Sequence, residues 1–342
     1  LRKDYAAIFV GIGAHKGKAL RIPGEDAANV WTATTFLNAV MSGKQVDVGN
    51  KVLVIGGGDA AIDAARVSRR LGAEVWIVYR RTIHEMPAIE PEIEGAKEEG
   101  VNFEFLVMPL EVIKEGDRAV AMKFQRTELG EPDASGRRRP VPIEGAVFTL
   151  DCTTVVSAIS QEPDFEGFDD LHTGRDWVKV DEFHRTNQEG VYAGGDVLDL
   201  ALVTTAIAQG SRAAATIHQV LRCEQVSITP MAPIIHKDKM NRAWFEKKDR
   251  VVPQPGADVP TRLAQPELEV EKGLTQDEAF EEAKRCMSCG LCFECGHCWT
   301  MCGDGAIIRP LNKGEPYAFK LEFCQGCKKC AEQCPCGYIE MA

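Results

Sequence analysis

The stretch KVLVIGGGDAAIDAARVSRRLGAEVWIVYRR, residues 51–81, decides the fold. KVLVIG (51–56) reads as a strand that runs into the loop Gly56, Gly57, Gly58 and Asp59. Ala61, Ala64, Ala65, Ser68 and Leu71 then recur at helical spacing, and Gly72 ends that helix as a C-cap. EVWIVYRR (74–81) follows as the next parallel strand, which completes a strand-helix-strand unit of about 30 residues, the size a nucleotide site needs. Gly56-x-Gly58-x-x-Ala61 supplies a tight turn, a close backbone approach to a pyrophosphate and close packing of helix on strand. It also aims the helix N-terminus at the phosphates, with Asp59 and Ala60 completing the loop. An NAD enzyme carries an acidic residue at the end of the second strand, but here the strand runs out in Tyr79, Arg80 and Arg81. Two cations there favour the 2′-phosphate of NADPH, with NADH left open; the plain alternative is a solvated strand end.

Working outward, AAIFVGIGA (6–14) is an apolar run ending in glycines, a buried strand entering a turn. Val101–Leu129 changes to strands, with a hairpin turning at Glu115, Gly116 and Asp117. Residues 130–145 are rich in Gly, Pro and Arg and read as a surface loop. TTVVSAI (153–159) and VYAGGD (191–196) are again short apolar strands, and 202–221 is a helix. Six prolines between Pro230 and Pro266 interrupt any period, which predicts a linker over the surface. Thr275 with Glu278 then forms a capping box that opens a short helix leading to Cys286.

The chain of 342 residues suits two or three domains. Its net charge of −11 argues against a nucleic-acid partner, because phosphate binding rests on clustered Lys and Arg. It contains no stretch of 18 or more apolar residues, so no membrane insertion is expected, and the first residues lack a signal-peptide cleavage site, so a cytoplasmic location is expected. Thirteen cysteines would suit a disulfide framework in a small secreted chain, but eleven of them fall between Cys286 and Cys336, which reads as metal binding.

Cys292, Cys295, Cys298 and Cys302 stand in C-x2-C-x2-C-x3-C order, and Cys324, Cys327, Cys330 and Cys334 repeat it with Pro335 directly after. That is the bacterial ferredoxin run, except for Gly303 where the first copy would carry proline. In two-cluster ferredoxins the fourth cysteine of each run crosses to the other cluster. One 4Fe–4S cluster is therefore assigned to Cys292, Cys295, Cys298 and Cys334, and the other to Cys324, Cys327, Cys330 and Cys302. Structural zinc also takes four thiolates, but it prefers paired knuckles on a longer loop. Cys286 and Cys289 extend the three-residue rhythm upstream, either as replacement ligands or as spare thiols. Cys336 reads as structural, and Cys152 and Cys223 as plain buried residues.

With these residues in place, the chain resembles the small-subunit family of glutamate synthase, NADPH-dependent flavoproteins with the pyridine-nucleotide-disulfide oxidoreductase fold. The resemblance rests on residues 10–26, 54–81, 84–101 (HEMPAIEPEIEGAKEEGV) and 190–214 (GVYAGGDVLDLALVTTAIAQGSRAA). The ferredoxin-like end looks like the branch associated with dissimilatory sulfite reductase. The resemblance implies an α/β fold: a partial FAD-binding domain over 1–48, an inserted Rossmann-like NADPH domain over 49–150, and a return to the FAD domain over 151–224. A linker over 225–274 and an α+β ferredoxin domain over 275–342 follow. It makes Gly195 and Asp196 part of the second FAD signature, with Asp196 meeting the ribityl chain and Val203 and Thr204 near the flavin ring. The first FAD signature is expected upstream of residue 1, so the FAD site within this chain is incomplete, and AISQEPD (158–164) departs from the family's AIGQxPD. The implied activity passes electrons from NADPH through FAD to two 4Fe–4S clusters and on to a redox partner, such as a large glutamate synthase subunit or a sulfite reductase-like protein. The direction of flow stays open. The rival reading is a ferredoxin-type docking module without flavin chemistry of its own. No side-chain acid or base is needed, and His15, His84 and His172 receive no catalytic role.

Overall fold

The computed structural model describes residues 1–132, 136–171, 177–227, 235–252 and 256–341. His172, positions 133–135 of the expected loop, and positions 228–234 and 253–255 of the expected linker lie outside the described residues. The chain divides into two compact units, Leu1–Ile228 with Ala257–Val270, and Thr229–Gly256 with Glu271–Ala342.

In the first unit five parallel strands form one sheet, in the order Val30–Thr32, Thr154–Ser157, Lys51–Ile55, Glu74–Tyr79 and Asn102–Phe105. Side chains alternate across it. Val52, Val54, Val75 and Ile77 enter one core, while Leu53, Ile55 and Val78 enter the other. Burial on both faces is why these strands read as continuous apolar runs. Helices Ala33–Met41, Asp59–Arg70 and Glu90–Glu98 cover the first face through Phe36, Ile62 and Ile93. An antiparallel layer of Val107–Glu115, Arg118–Pro132 and Arg138–Asp151 covers the second through Val112, Met122 and Phe124.

The hairpin turns at Gly116, whose φ of +65° suits glycine. Where a loop was expected over 130–145, the described residues instead extend this layer, with Leu129 opposite Pro140 and Thr127 opposite Pro142. Arg138–Asp151 is an edge strand, where a proline's missing N–H costs no ladder bond, and this conceals the strand in the composition.

Part of the expected linker also returns to this unit as the helix Val259–Ala264. Its Arg262 Nη1 reaches Glu98 Oε2 at 3.2 Å and Glu99 Oε1 at 3.9 Å. Glu99 is fully buried, and its Oε1 also accepts from Arg66 at 2.8 Å and Arg70 at 3.1 Å. Among the described residues, Glu99 Oε2 and Arg70 Nε are buried without a hydrogen-bond partner.

Strands Ile8–Val10 and Val191–Ala193 pair in parallel over a separate core that includes Val10, Leu171, Val178 and Val197. Helix Val203–Leu221 follows and caps at Arg222. Cys223, expected to be buried, is exposed, because it takes the left-handed turn after that cap at φ +57°.

In the second unit, Thr275 N donates to Glu278 Oε2 at 2.8 Å and Glu278 N donates to Thr275 Oγ1 at 3.3 Å, opening helix Gln276–Ala283. Beyond it lie the short helices His297–Met301 and Lys329–Glu332 and the antiparallel pair Ile307–Ile308 and Ala318–Phe319. Among the described residues, no helix is long and apolar enough to cross a membrane.

Candidate functional site: a glycine turn and two cysteine cages

Strand Lys51–Ile55 delivers Gly56 at the C-terminal edge of the parallel sheet, where ligands of open α/β sheets bind. Gly56 has φ +150°, and a Cβ on it would stand 2.3 Å from the Ala158 carbonyl oxygen. A Cβ on Gly57 would meet the Tyr79 ring at 2.7 Å. Only bare backbone fits at both positions. Gly58 is the N-cap of helix Asp59–Arg70 and makes no side-chain cap bond, so the helix N-terminus suits an anion. Asp59 Oδ1 accepts from Ile89 N at 3.1 Å, Ala60 is exposed, and Ala61 is fully buried beneath the helix. The turn therefore fits a dinucleotide pyrophosphate by shape and by uncapped helix end.

The two arginines after Tyr79 part company. Arg80 is exposed at the strand end, whereas Arg81 is buried, with its Nε donating to the Arg138 carbonyl oxygen at 2.6 Å. Arg138 is the neighbour that the sequence reading missed. Once the hairpin folds back along the strand it comes close, and the position of Arg81 two residues past the buried run was the only hint.

Gly195 takes φ +81°, and its N–H donates to Gln209 Oε1 at 2.7 Å, which ties the turn after Val191–Ala193 to helix Val203–Leu221. Asp196 Oδ1 accepts from Ala201 N at 3.4 Å. Val203 and Thr204 are exposed in the first turn of that helix, which has no side-chain cap at Leu202. Uncapped helix and exposed apolar residues side by side suit a flavin edge.

In the second unit the cysteines gather in two cages. Cys302, Cys324, Cys327 and Cys330 line a cavity of about 330 Å³. Cys292, Cys295, Cys298 and Cys334 line a tighter one of about 20 Å³, together with Cys336. Each run thus lends its fourth cysteine to the other run's cage. Burial, together with the nearby Cys295, Cys334 and Cys292, pushes the Cys298 thiol up to about 11. Burial likewise raises Cys330 beside Cys324 and Cys327. Thiols crowded in this way ionise together only when cations share them, which fits iron as the occupant. Among the described residues, no group of three or more His, Cys, Asp or Glu closes on a single-ion site, whereas a cubane takes four thiolates on four separate irons. Cys336 is buried, with Sγ 3.8 Å from Cys334 Sγ, and burial pushes it up to about 12. Cys286 and Cys289 are exposed and line neither cavity.

A parallel nucleotide sheet with a glycine turn at its edge, joined to a second glycine turn under a long helix, defines an oxidoreductase fold of the two-dinucleotide type. The chain belongs to the pyridine nucleotide-disulphide oxidoreductase family, which it matches over residues 2–210. It is 34% identical over 333 residues to the NADPH-Fe(3+) oxidoreductase subunit beta of Geobacter sulfurreducens, an alignment covering 84% of this chain and 49% of that one. It is 36% identical over 236 residues to the glutamate synthase [NADPH] small chain of Escherichia coli, covering 63% of this chain and 50% of that one. The chain spans about half the length of these curated relatives. Lactococcus lactis thioredoxin reductase in its FR conformation superposes with a TM-score of 0.50 at 26% identity, over 63% of this chain and 66% of that one.

Proposed function

We propose that the chain carries electrons from NADPH through FAD to two 4Fe–4S clusters and on to a partner subunit. The observation that carries this reading is the sorting of eight cysteines into two crossed sets of four. Bound together, these groups supply a hydride step at the flavin and one-electron steps at the iron–sulfur centres. The chain's own residues bind and orient. Gly56, Gly57 and Gly58 bring backbone to the NADPH pyrophosphate, Arg80 meets the 2′-phosphate, and Gly195, Asp196, Val203 and Thr204 border the flavin. The partner is a large glutamate synthase-type or sulfite reductase-like subunit, in keeping with relatives whose own names include a beta subunit and a small chain.

Stopped-flow mixing of the full-length protein with NADPH tests this. Bleaching of the flavin followed by loss of iron–sulfur absorbance is expected, and a flavin that NADPH leaves oxidised would defeat the proposal. The exposure of Leu202 and Ile207, to which the flavin assignment gives no part, favours a second reading, a ferredoxin-type docking module without flavin chemistry. In that case dithionite reduces the clusters and NADPH does not.

A further inference from the structure

The two cages differ in what surrounds the sulfurs. Beside its cysteines, the tighter one is lined by Phe293, Tyr317, Phe319, Pro335, Tyr338 and Ile339, together with Gly296; none of these carries a charge, and the nearest cation is Arg309, whose Nη1 lies 3.9 Å from where a Cβ on Gly296 would stand. The wider one shares Phe319, Tyr338 and Ile339 with the tighter one and differs by adding Lys320, Lys328 and Lys329, with Asp304 and Glu340. Glu340 already pairs with Lys239 at 2.6 Å, and the Lys320 ammonium lies over the Phe323 ring, which leaves Lys328 and Lys329 as the cations whose partners lie nowhere else among the residues named.

One of these lysines is held in an unusual way. The two cysteine loops repeat one backbone pattern, left-handed on both sides of the second cysteine. Before it stand Glu294 at φ +60° and Gly326 at φ +68°; after it stand Gly296 at φ +76° and Lys328 at φ +62°. Gly296 and Lys328 each open a short helix. Glycine accepts this conformation without a Cβ clash, whereas glutamate and lysine adopt it against steric strain. Glu294 has a local return for that strain, since its Oε1 accepts from Gly314 N at 2.8 Å. Lys328 instead lines the cavity. Strain that persists at a site points to use there.

An electron entering a four-thiolate cluster adds one negative charge and makes or breaks no bond. A nearby cation and access to water favour that added charge, and an apolar cage disfavours it. We propose that Lys328, assisted by Lys329, raises the reduction potential of the Cys302, Cys324, Cys327 and Cys330 site above that of the Cys292, Cys295, Cys298 and Cys334 site. Electrons then collect at the lysine-lined site and leave from it. This rests on the reading that both cages hold clusters. The donor is the NADPH-reduced flavin, the acceptor is the partner subunit, and Lys328 is a positioning charge.

The test is a redox titration of the cluster-loaded full chain followed by electron paramagnetic resonance, with iron content measured on the same samples. Cys324→Ser identifies which couple belongs to the lysine-lined site. Lys328→Gln is expected to lower that couple by at least a tenfold change in its equilibrium constant, about 59 mV for one electron, and to leave the other in place. Lys328→Arg should restore it. Lys328→Gly should lower it as well, while relieving the backbone and preserving or raising Tm, an outcome that a purely structural role would not give. Unchanged couples in Lys328→Gln, or a shift in the other site's couple, would overturn the tuning role although the clusters stand. Unaltered protein that contains no iron would overturn the cluster reading beneath it.

Discussion

Gly57 lies against the ring of Tyr79 so closely that a Cβ on the glycine would stand 2.7 Å from two ring carbons. The ring is not at liberty to swing away, because its hydroxyl donates to the Glu85 carbonyl oxygen at 2.8 Å. The Gly57 carbonyl oxygen in turn accepts from Ala88 N at 3.2 Å. In Gly57→Ala the backbone must therefore yield at the place where the pyrophosphate is proposed to rest. The dissociation constant for NADPH should rise at least tenfold, about 1.4 kcal/mol, with the far-ultraviolet circular dichroism unchanged. Calorimetric titration checks this, and an unaltered affinity would remove the turn from the binding site.

The arginines at the end of the same strand should separate into two phenotypes. Arg80→Gln removes an exposed cation and is expected to weaken NADPH but not NADH, by roughly 1.5–3 kcal/mol, the range for a hydrogen bond to a charged group. Arg81→Ala empties a buried position that donates to Arg138 and should lower stability by about 1–3 kcal/mol, read as a drop in Tm. Equal weakening of both nucleotides by Arg80→Gln would contradict the 2′-phosphate assignment.

Glu99 should dominate the acid stability of the first unit. Burial alone would raise its pKa, but hydrogen bonds and charge from Arg66 and Arg70 outweigh burial and hold the carboxyl below its ordinary 4.5. A depressed carboxyl stabilises the fold above its unfolded pKa. That contribution is therefore complete above about pH 5 and is lost as pH falls below 4.5 toward the lowered folded value. Glu99→Gln removes the carboxylate from two part-buried guanidinium groups, of which Arg66 keeps Glu92, and should cost about 1–3 kcal/mol near neutral pH. Thermal melts across pH would show the variant's disadvantage shrinking in acid, and a constant difference would point to packing alone.

Much of this was legible in residues 51–81, because strand, glycine turn and small-residue helix follow one another without interruption and each imposes its own period. The grouping of the cysteines along two cavities was legible too, since three-residue spacing keeps the first three of each run on one loop. Arg138–Asp151 was not, because prolines at an edge strand look like loop residues. Nor was the return of Val259–Ala264, whose six residues carry too little periodicity and whose anchor, Arg262 on Glu98 and Glu99, joins positions far apart in the chain. Lys328 could have been flagged by aligning the two cysteine loops, which sets it opposite Gly296; the left-handed backbone there has no other trace in the residues.

Iron and acid-labile sulfide, counted per chain in anaerobically purified full-length protein, address the central claim most directly. Two cages of four thiolates, each closed by the fourth cysteine of the other run, predict about eight of each, as two 4Fe–4S clusters require. Zinc without sulfide, or neither metal nor sulfide, would contradict it.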